Sequence, residues 1–244
     1  MKLDVLAFGV HPDDVELSCS GVLLIEKSQG RKTGVIDLTR GELGTRGTAE
    51  TRTEEAAVAS EILGLSIREN LDMADGFFQN DEAHQRKIIT AIRSYQPDIV
   101  LCNALEDRHP DHGRSAKLVE DAAFLSGLRK IETYSNGEPQ QAWRPKYVLH
   151  YIQDRYMQPD FVIDITPVFE AKLASIQAYQ TQFFTQQVSA NEPETYISTP
   201  GFLDSIIYRA KMFGKMIGVE YAEGFVSKKT VGLQHLNQLI LKNT

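Results

Sequence analysis

Apolar, β-branched runs alternate with segments whose apolar residues recur at helical spacing. The runs are LDVLAFGV (3–10), KTGVIDLT (32–39), PDIVLCNA (97–104), KYVLHYI (146–152) and DFVIDI (160–165), and they are typical of strands buried on both faces. The helical segments are 14–28, 50–63, 81–95, 112–125, 167–183 and 202–217. This alternation predicts an α/β fold: a Rossmann-like, doubly wound, mostly parallel sheet with helices on both faces. No linker or repeat divides the chain, so we expect a single domain over 1–244.

The charge balance narrows the range of partners. Lys and Arg number 26 against 33 Asp and Glu, a net charge of −7, which argues against nucleic acid or an anionic membrane as the main partner. We therefore expect a small-molecule substrate. We see no secretory signal and no apolar stretch of the ~20 residues that a membrane span needs. With only Cys19 and Cys102, the sequence predicts a reduced, cytoplasmic protein.

The tripeptide His-Pro-Asp occurs twice, each time between a predicted strand and a predicted helix. HPDD (11–14) follows the first strand, and RHPDHG (108–113) follows the third. Parallel strands place their carboxyl ends at one edge of a sheet, where ligands bind in such folds, so we expect the two segments to meet. Together they offer six groups for metal binding or acid–base chemistry: His11, Asp13, Asp14, His109, Asp111 and His112.

A single HPDD segment also has a purely structural interpretation. Proline suits the first turn of a helix, and aspartate complements the helix dipole there. That interpretation does not require histidine, so two copies that each carry His and Asp favour a shared metal site. A catalytic zinc takes three protein ligands, and the surplus groups are what hydrolysis needs as base and oxyanion stabiliser. The residue types alone do not assign the six roles.

A glycine-rich loop, TRGELGTRGTAETR (39–52), follows the second strand. It lacks the spacing of a phosphate-binding P-loop and of a dinucleotide-binding fingerprint. Its arginines, Arg40, Arg46 and Arg52, suit bidentate carboxylate recognition, although a solvated loop is the structural alternative. Tyr196 lies in a polar segment that could cover a pocket, and a surface or core tyrosine is its alternative interpretation.

The paired motifs resemble those of the PIG-L/LmbE-like family of zinc-dependent deacetylases of N-acetylglucosaminyl substrates. The resemblance implies that His11, Asp14 and His112 bind the metal, that Asp13 is the general base, and that His109, oriented by Asp111, stabilises the oxyanion or donates a proton. Such a ligand set suits Zn²⁺, with Fe²⁺ as the alternative in a reducing cell.

One branch of that family, which deacetylates N-acetylglucosaminyl-malate in bacillithiol biosynthesis, is similar in three further stretches. These are DLTRGELGTRGTAETRTEEA (37–56), RHPDHGRSAKLVEDAAFLSGLRK (108–130) and YAEGF (221–225). The resemblance implies that Arg52 contacts substrate. Members of the wider family place a tyrosine near the oxyanion, which makes Tyr196 a candidate substrate contact, and they often assemble into trimers or hexamers, which suggests a homo-oligomer. Two alternatives stay open: a deacetylase of another N-acetylglucosamine conjugate or chito-oligosaccharide, and a non-catalytic, metal-dependent sugar-binding protein.

Overall fold

The computed structural model describes residues 1–183 and 193–241. Their strands are β1 (Val5–Gly9), β2 (Thr33–Thr39), β3 (Ile67–Met73), β4 (Ile99–Cys102), β5 (Tyr134–Ser135), β6 (Glu138–Pro139), β7 (Tyr147–Tyr151), β8 (Phe161–Asp164) and β9 (Ala222–Val226). Seven of them form one sheet in the order β3-β2-β1-β4-β7-β9-β8, and β5 and β6 form a separate hairpin. The pairs from β3 across to β7 are parallel, and β9 runs antiparallel to both of its neighbours. The predicted α/β class with a mostly parallel sheet is confirmed.

The helices differ from the predicted segments in two places. They are α1 (Asp14–Ser18), α2 (Ser20–Ser28), α3 (Ala49–Leu63), α4 (Glu82–Tyr95), α5 (Pro110–Leu125), α6 (Phe169–Gln177) and α7 (Pro200–Ile217). The segment 14–28 is broken at Cys19, where φ is −141°, because the first N–H groups of α2 bind the buried carboxylate of Glu223. The segment 167–183 yields a helix that ends earlier, at Gln177. None of the helices in the described ranges is both long and apolar enough to cross a membrane.

Alternate side chains of β1 pack on opposite faces of the sheet, as the strand pleat requires. Leu6 and Phe8 belong to a core cluster that includes residues of α4 and α5. Val5 and Ala7 belong to a second cluster that includes residues of α2, α6 and α7. Both faces of the sheet are therefore covered by helices, which is the doubly wound arrangement.

The switch point of the sheet lies at β1, which pairs with β2 on one side and β4 on the other. Chain connections leave in opposite directions from such a point, so a crevice opens beyond the carboxyl ends of the two strands. His11 follows the end of β1, and His109 follows β4 through a short loop. The fold thus brings both His-Pro-Asp segments to the same crevice.

Candidate metal centre and catalytic site

Three imidazoles meet in the crevice. The ring centroids of His11 and His109 are 4.9 Å apart, those of His109 and His112 are 5.3 Å apart, and those of His11 and His112 are 5.8 Å apart. They line a cavity of about 310 Å³, which we call the central cavity. The predicted meeting of the two segments is therefore present in the fold.

Asp14 faces two of these rings. Its Oδ1 lies 3.3 Å from His112 Nε2, and its Oδ2 lies 3.8 Å from His11 Nδ1. Burial acts to raise the pKa of Asp14, but the neighbouring His112 and His11 and hydrogen bonds from both lower it well below its usual range. Asp14 is therefore an anion that lies between two imidazole nitrogens.

A second carboxylate supports each of these imidazoles from behind. Asp75 Oδ1 lies 2.9 Å from His11 Nε2, and Asp107 Oδ2 lies 2.6 Å from His112 Nδ1. Each ring therefore turns its remaining nitrogen toward Asp14. Carboxylates placed in this way behind metal-binding histidines fix the ring orientation and raise the basicity of the ligand.

Negative charge exceeds positive charge around His112. Burial acts to lower the pKa of His112, but Asp14 and Asp107 on either side raise it to about 10. In the absence of a cation, a proton on His112 thus offsets part of the charge of the two carboxylates. The donors fit a divalent metal: two imidazole nitrogens and one carboxylate are a common ligand set for a catalytic zinc.

Two other groupings of potential ligands occur in the described ranges: His11 with His109 and His112, and His11 with Asp75 and Asp111. In the second grouping the carboxylates are already engaged. Asp75 Oδ2 accepts a hydrogen bond from the Leu43 N–H at 3.1 Å. Asp111 accepts from the Gly76 N–H at 2.8 Å and from Arg114 Nη1 at 2.6 Å. Asp14 accepts hydrogen bonds as well, from the backbone N–H groups of Val10 and His11, so the ligand set of His11, Asp14 and His112 stays a prediction from the family resemblance.

Asp13 lies beside this set but pairs elsewhere. Its Oδ2 accepts a hydrogen bond of 2.9 Å from Arg52 Nη2, and both side chains are buried. Burial raises the pKa of Asp13 to about 7, although Arg52 acts to lower it. The φ of Asp13 is 132°, a strained value of the kind that clusters at functional sites. A carboxylate with a pKa near neutrality is suited to accept a proton at physiological pH.

Arg52 lies in the wall of the central cavity and is 4 % exposed. Besides Asp13, it donates to the carbonyl oxygens of Pro12 at 2.9 Å and Gly41 at 3.3 Å. Gly41 has a φ of 65°, and a Cβ there would lie 2.0 Å from Arg52 Nη1, so the close approach requires glycine. These contacts make Arg52 a positioning residue for Asp13, and its contact with substrate stays a prediction.

His109 is half-buried at the start of α5. Its Nδ1 accepts a hydrogen bond of 3.3 Å from the backbone N–H of Asp111. Burial, and then the neighbouring His11 and His112, lower the pKa of His109, so the ring is neutral and carries its proton on Nε2. The expected orientation of His109 by Asp111 thus operates through the backbone, whereas the Asp111 carboxylate binds Gly76 and Arg114.

Tyr196 lies at the rim of the central cavity and is 52 % exposed. Its hydroxyl donates to Asp154 Oδ1 at 3.0 Å, and the Arg108 guanidinium stacks over its ring at 4.3 Å from the centroid. The structure therefore brings Tyr196 to the cavity, while its contact with substrate stays a prediction. Of the loop arginines, Arg46 also lines the cavity.

Sequence reasoning missed four polar residues of the site. Asp75 and Asp107 support the histidines, while Asn103 Nδ2 and Gln153 Nε2 donate to Asp14 at 3.0 and 2.6 Å. Asp75, Asn103 and Gln153 each follow a strand within two residues. The rule that located the histidines, to look just beyond each strand, finds Gln153 after the run 146–152, whereas Asn103 lies inside the run 97–104 and Asp75 follows a strand that no apolar run indicates.

The fold and the cluster together define an α/β enzyme with a histidine–carboxylate site at the switch point of its sheet. A family model described as GlcNAc-PI de-N-acetylase, PIG-L, matches residues 6–123, which include both His-Pro-Asp segments. The chain belongs to this family.

Three relatives show the range of the similarity. The structure of the conserved protein TT1542 from Thermus thermophilus superposes with a TM-score of 0.84, is 34% identical, and covers 95% of this chain and 97% of its own. The diacetylchitobiose deacetylase of Thermococcus kodakarensis is 28% identical over 90% of this chain and 81% of its own. The 4-oxalmesaconate hydratase of Pseudomonas putida is 28% identical over 72% of this chain and 73% of its own.

Proposed function

We propose that the protein is a metal-dependent deacetylase that releases acetate from N-acetylglucosaminyl-malate, a step of bacillithiol biosynthesis in the cytoplasm. One observation carries the proposal: His11 and His112 both face Asp14, while Asp13 lies beside them and pairs with Arg52. This arrangement separates metal ligands from a base, which is the division of labour that amide hydrolysis needs.

His11, Asp14 and His112 would hold the metal, with Zn²⁺ as the ion that fits best and Fe²⁺ as the alternative. When bound there, such a cation polarises the amide carbonyl and makes water more acidic. The buried carboxylates behind the two rings, Asp75 and Asp107, keep the imidazoles in the ligating orientation.

Asp13 accepts the proton of the water that attacks the acetamide carbonyl. Arg52 holds the Asp13 carboxylate through Oδ2, so that its other oxygen remains available. The C–N bond then breaks, the proton passes to the departing amine, and acetate and a glucosamine amine result. The pKa of Asp13, about 7, suits both accepting and returning that proton near neutral pH.

His109 stabilises the negative charge that develops on the carbonyl oxygen. Its Nδ1 is occupied by the Asp111 N–H, which leaves Nε2–H as a donor on the cavity side of the site. A donor oriented in advance toward a developing oxyanion contributes ~3–4 kcal/mol to transition-state stabilisation in comparable sites.

The malate conjugate is favoured by the branch resemblance and by the cations of the cavity wall. Arg52, Arg108 and Arg209 all line the central cavity, and guanidinium groups match carboxylates in geometry. The similarity to diacetylchitobiose deacetylase supports a second candidate, a chito-oligosaccharide substrate.

Acetate release tests both candidates. Protein of known metal content is incubated with N-acetylglucosaminyl-malate, with diacetylchitobiose and with free N-acetylglucosamine. We expect the malate conjugate to give the highest kcat/KM. A higher value for diacetylchitobiose would establish the second candidate instead. No acetate from any of the three, with the metal bound, would remove the deacetylase proposal and favour a sugar-binding role or water addition of the hydratase type.

A further inference from the structure

Arg209, in α7, lines the central cavity, and in the described part of the chain its guanidinium makes hydrogen bonds only to backbone carbonyl oxygens. Its Nη2 donates to the Leu17 carbonyl oxygen at 2.8 Å, and its Nη1 donates to the Gln153 carbonyl oxygen. Among residues 1–183 and 193–241, no carboxylate lies within ion-pair distance of this guanidinium. The two carbonyls fix the plane of the group without neutralising it.

Two other arginines that line the cavity, Arg52 and Arg108, each lie within ion-pair distance of a carboxylate. Arg52 is paired with Asp13 at 2.9 Å, and Arg108 lies 3.5 Å from Asp154. Asp154 also acts on Arg209 at longer range, and it accepts the hydroxyl of Tyr196. Asp154 is therefore shared by two guanidinium groups, and the carboxylates of Glu223 and Asp107 likewise act on Arg209 only at longer range.

The surroundings of Arg209 strengthen any charge interaction made there. Leu17, Phe202 and Ile206 line the cavity beside it, and all three are buried and apolar. Charges attract more strongly in such a setting than in water, and a cation left without a partner is costly. Burial accordingly lowers the pKa of Arg209, although Asp154 acts in the opposite direction.

The position of Arg209 relates it to the reaction. The Gln153 backbone accepts from Arg209, while the side chain of the same residue donates to Asp14 Oδ1 at 2.6 Å. Gln153 thus lies between the Arg209 guanidinium and Asp14, the carboxylate that faces the metal position. Arg209 and Asp14 line the same cavity, so one substrate molecule can reach both.

We propose that Arg209 is a specificity-determining residue that binds a carboxylate on the group attached to the N-acetylglucosamine. This inference rests on the proposed deacetylase function and names the residue that selects acidic over neutral substrates. The planar guanidinium is already held by Leu17 and Gln153, so little orientational freedom is lost when the carboxylate arrives.

The test compares two substrates of equal size in three proteins. The substrates are N-acetylglucosaminyl-malate and its bis-methylamide, which lacks the two negative charges. The proteins are the parent chain, Arg209→Gln, and the control Lys211→Gln, which removes a positive charge from an exposed site on the same helix. We expect the ratio of kcat/KM for the acid to that for the amide to fall about 10- to 100-fold in Arg209→Gln. The ratio should not change in Lys211→Gln.

Three other results would contradict the proposed role of Arg209. An equal loss on both substrates in Arg209→Gln would mean that Arg209 only supports the cavity wall, and equal rates of the parent on both would mean that no carboxylate is recognised. Either result overturns the inference and leaves the deacetylase intact. No acetate from either substrate would contradict the proposed function, and the inference would fail with it.

A second measurement does not depend on the stability of the variant. Free malate should inhibit the parent competitively, more strongly than malate bis-methylamide, and high salt should weaken the inhibition because it screens the charge. Equal inhibition by both compounds would contradict carboxylate binding at Arg209 even if Arg209→Gln does not fold.

Discussion

Asp13→Asn is the change that most sharply separates catalysis from metal binding. The amide has nearly the same shape as the carboxylate, so the change adds no bulk at a backbone position whose φ is 132°. Its oxygen can still accept the hydrogen bond that Arg52 Nη2 now makes at 2.9 Å. The variant should therefore fold and keep Arg52 in place.

The size of the effect follows from the role of the group. A positioned general base contributes about 10²–10⁴-fold to a rate, or about 2.7–5.4 kcal/mol of activation free energy. Asn cannot accept the proton of water at neutral pH, so kcat should fall by that factor. Metal affinity should change little, because the Asp13 carboxylate binds Arg52 and does not lie between the donor atoms of His11, Asp14 and His112.

The assay measures acetate release and metal content on the same preparation, with the unfolding temperature as a check of the fold. We expect one metal ion per chain in both proteins and a large loss of kcat in the variant. Turnover within about threefold of the parent, at full metal content, would contradict the role of Asp13 as the base. Loss of the metal along with the activity would show instead that Asp13 is a ligand.

Three further predictions concern the structure around the site. Asp107→Asn should weaken zinc binding about 10- to 100-fold in a chelator competition, because His112 loses the carboxylate that lies 2.6 Å from its Nδ1. Unchanged zinc affinity would show that this contact does not support the metal site. Gly41→Ala should lower the free energy of unfolding by more than the control Gly30→Ala does. Both positions have a positive φ, but a Cβ at Gly41 meets Arg52, whereas nothing lies within 4 Å of a Cβ at Gly30. Equal losses, each about 1–2 kcal/mol, would mean that backbone strain alone acts. Zinc at about 100 times its dissociation constant should stabilise the native protein by about 2.7 kcal/mol relative to chelator-treated protein, and an unchanged unfolding temperature would speak against a native site.

The fold was predictable where strands are buried on both faces. Strands β1, β2 and β4 are buried along almost their whole length, and each lies within a predicted segment. β3, with the sequence IRENLDM, lies at the edge of the sheet and is mostly polar, so no apolar run indicates it. β9 is short and contains Glu223, whose partners Lys172, Gly21 and Val22 are distant in sequence.

The site was predictable in its histidines and less so in what supports them. A repeated His-Pro-Asp motif is visible in one sequence, and the order of the strands brings its two copies together. Asp75 could not be placed because it follows the unpredicted β3. The pairing of Arg52 with Asp13 arises from a close approach over Gly41 that no local pattern encodes.

The central claim is that one cation lies between His11, Asp14 and His112. Crystals of the zinc-loaded protein, measured on both sides of the zinc absorption edge, test it most directly. We expect one strong anomalous peak per chain, within ligand distance of His11 Nδ1, the Asp14 carboxylate and His112 Nε2. A peak on the opposite side of His11, between Asp75 and Asp111, or no peak at full zinc loading, would contradict it.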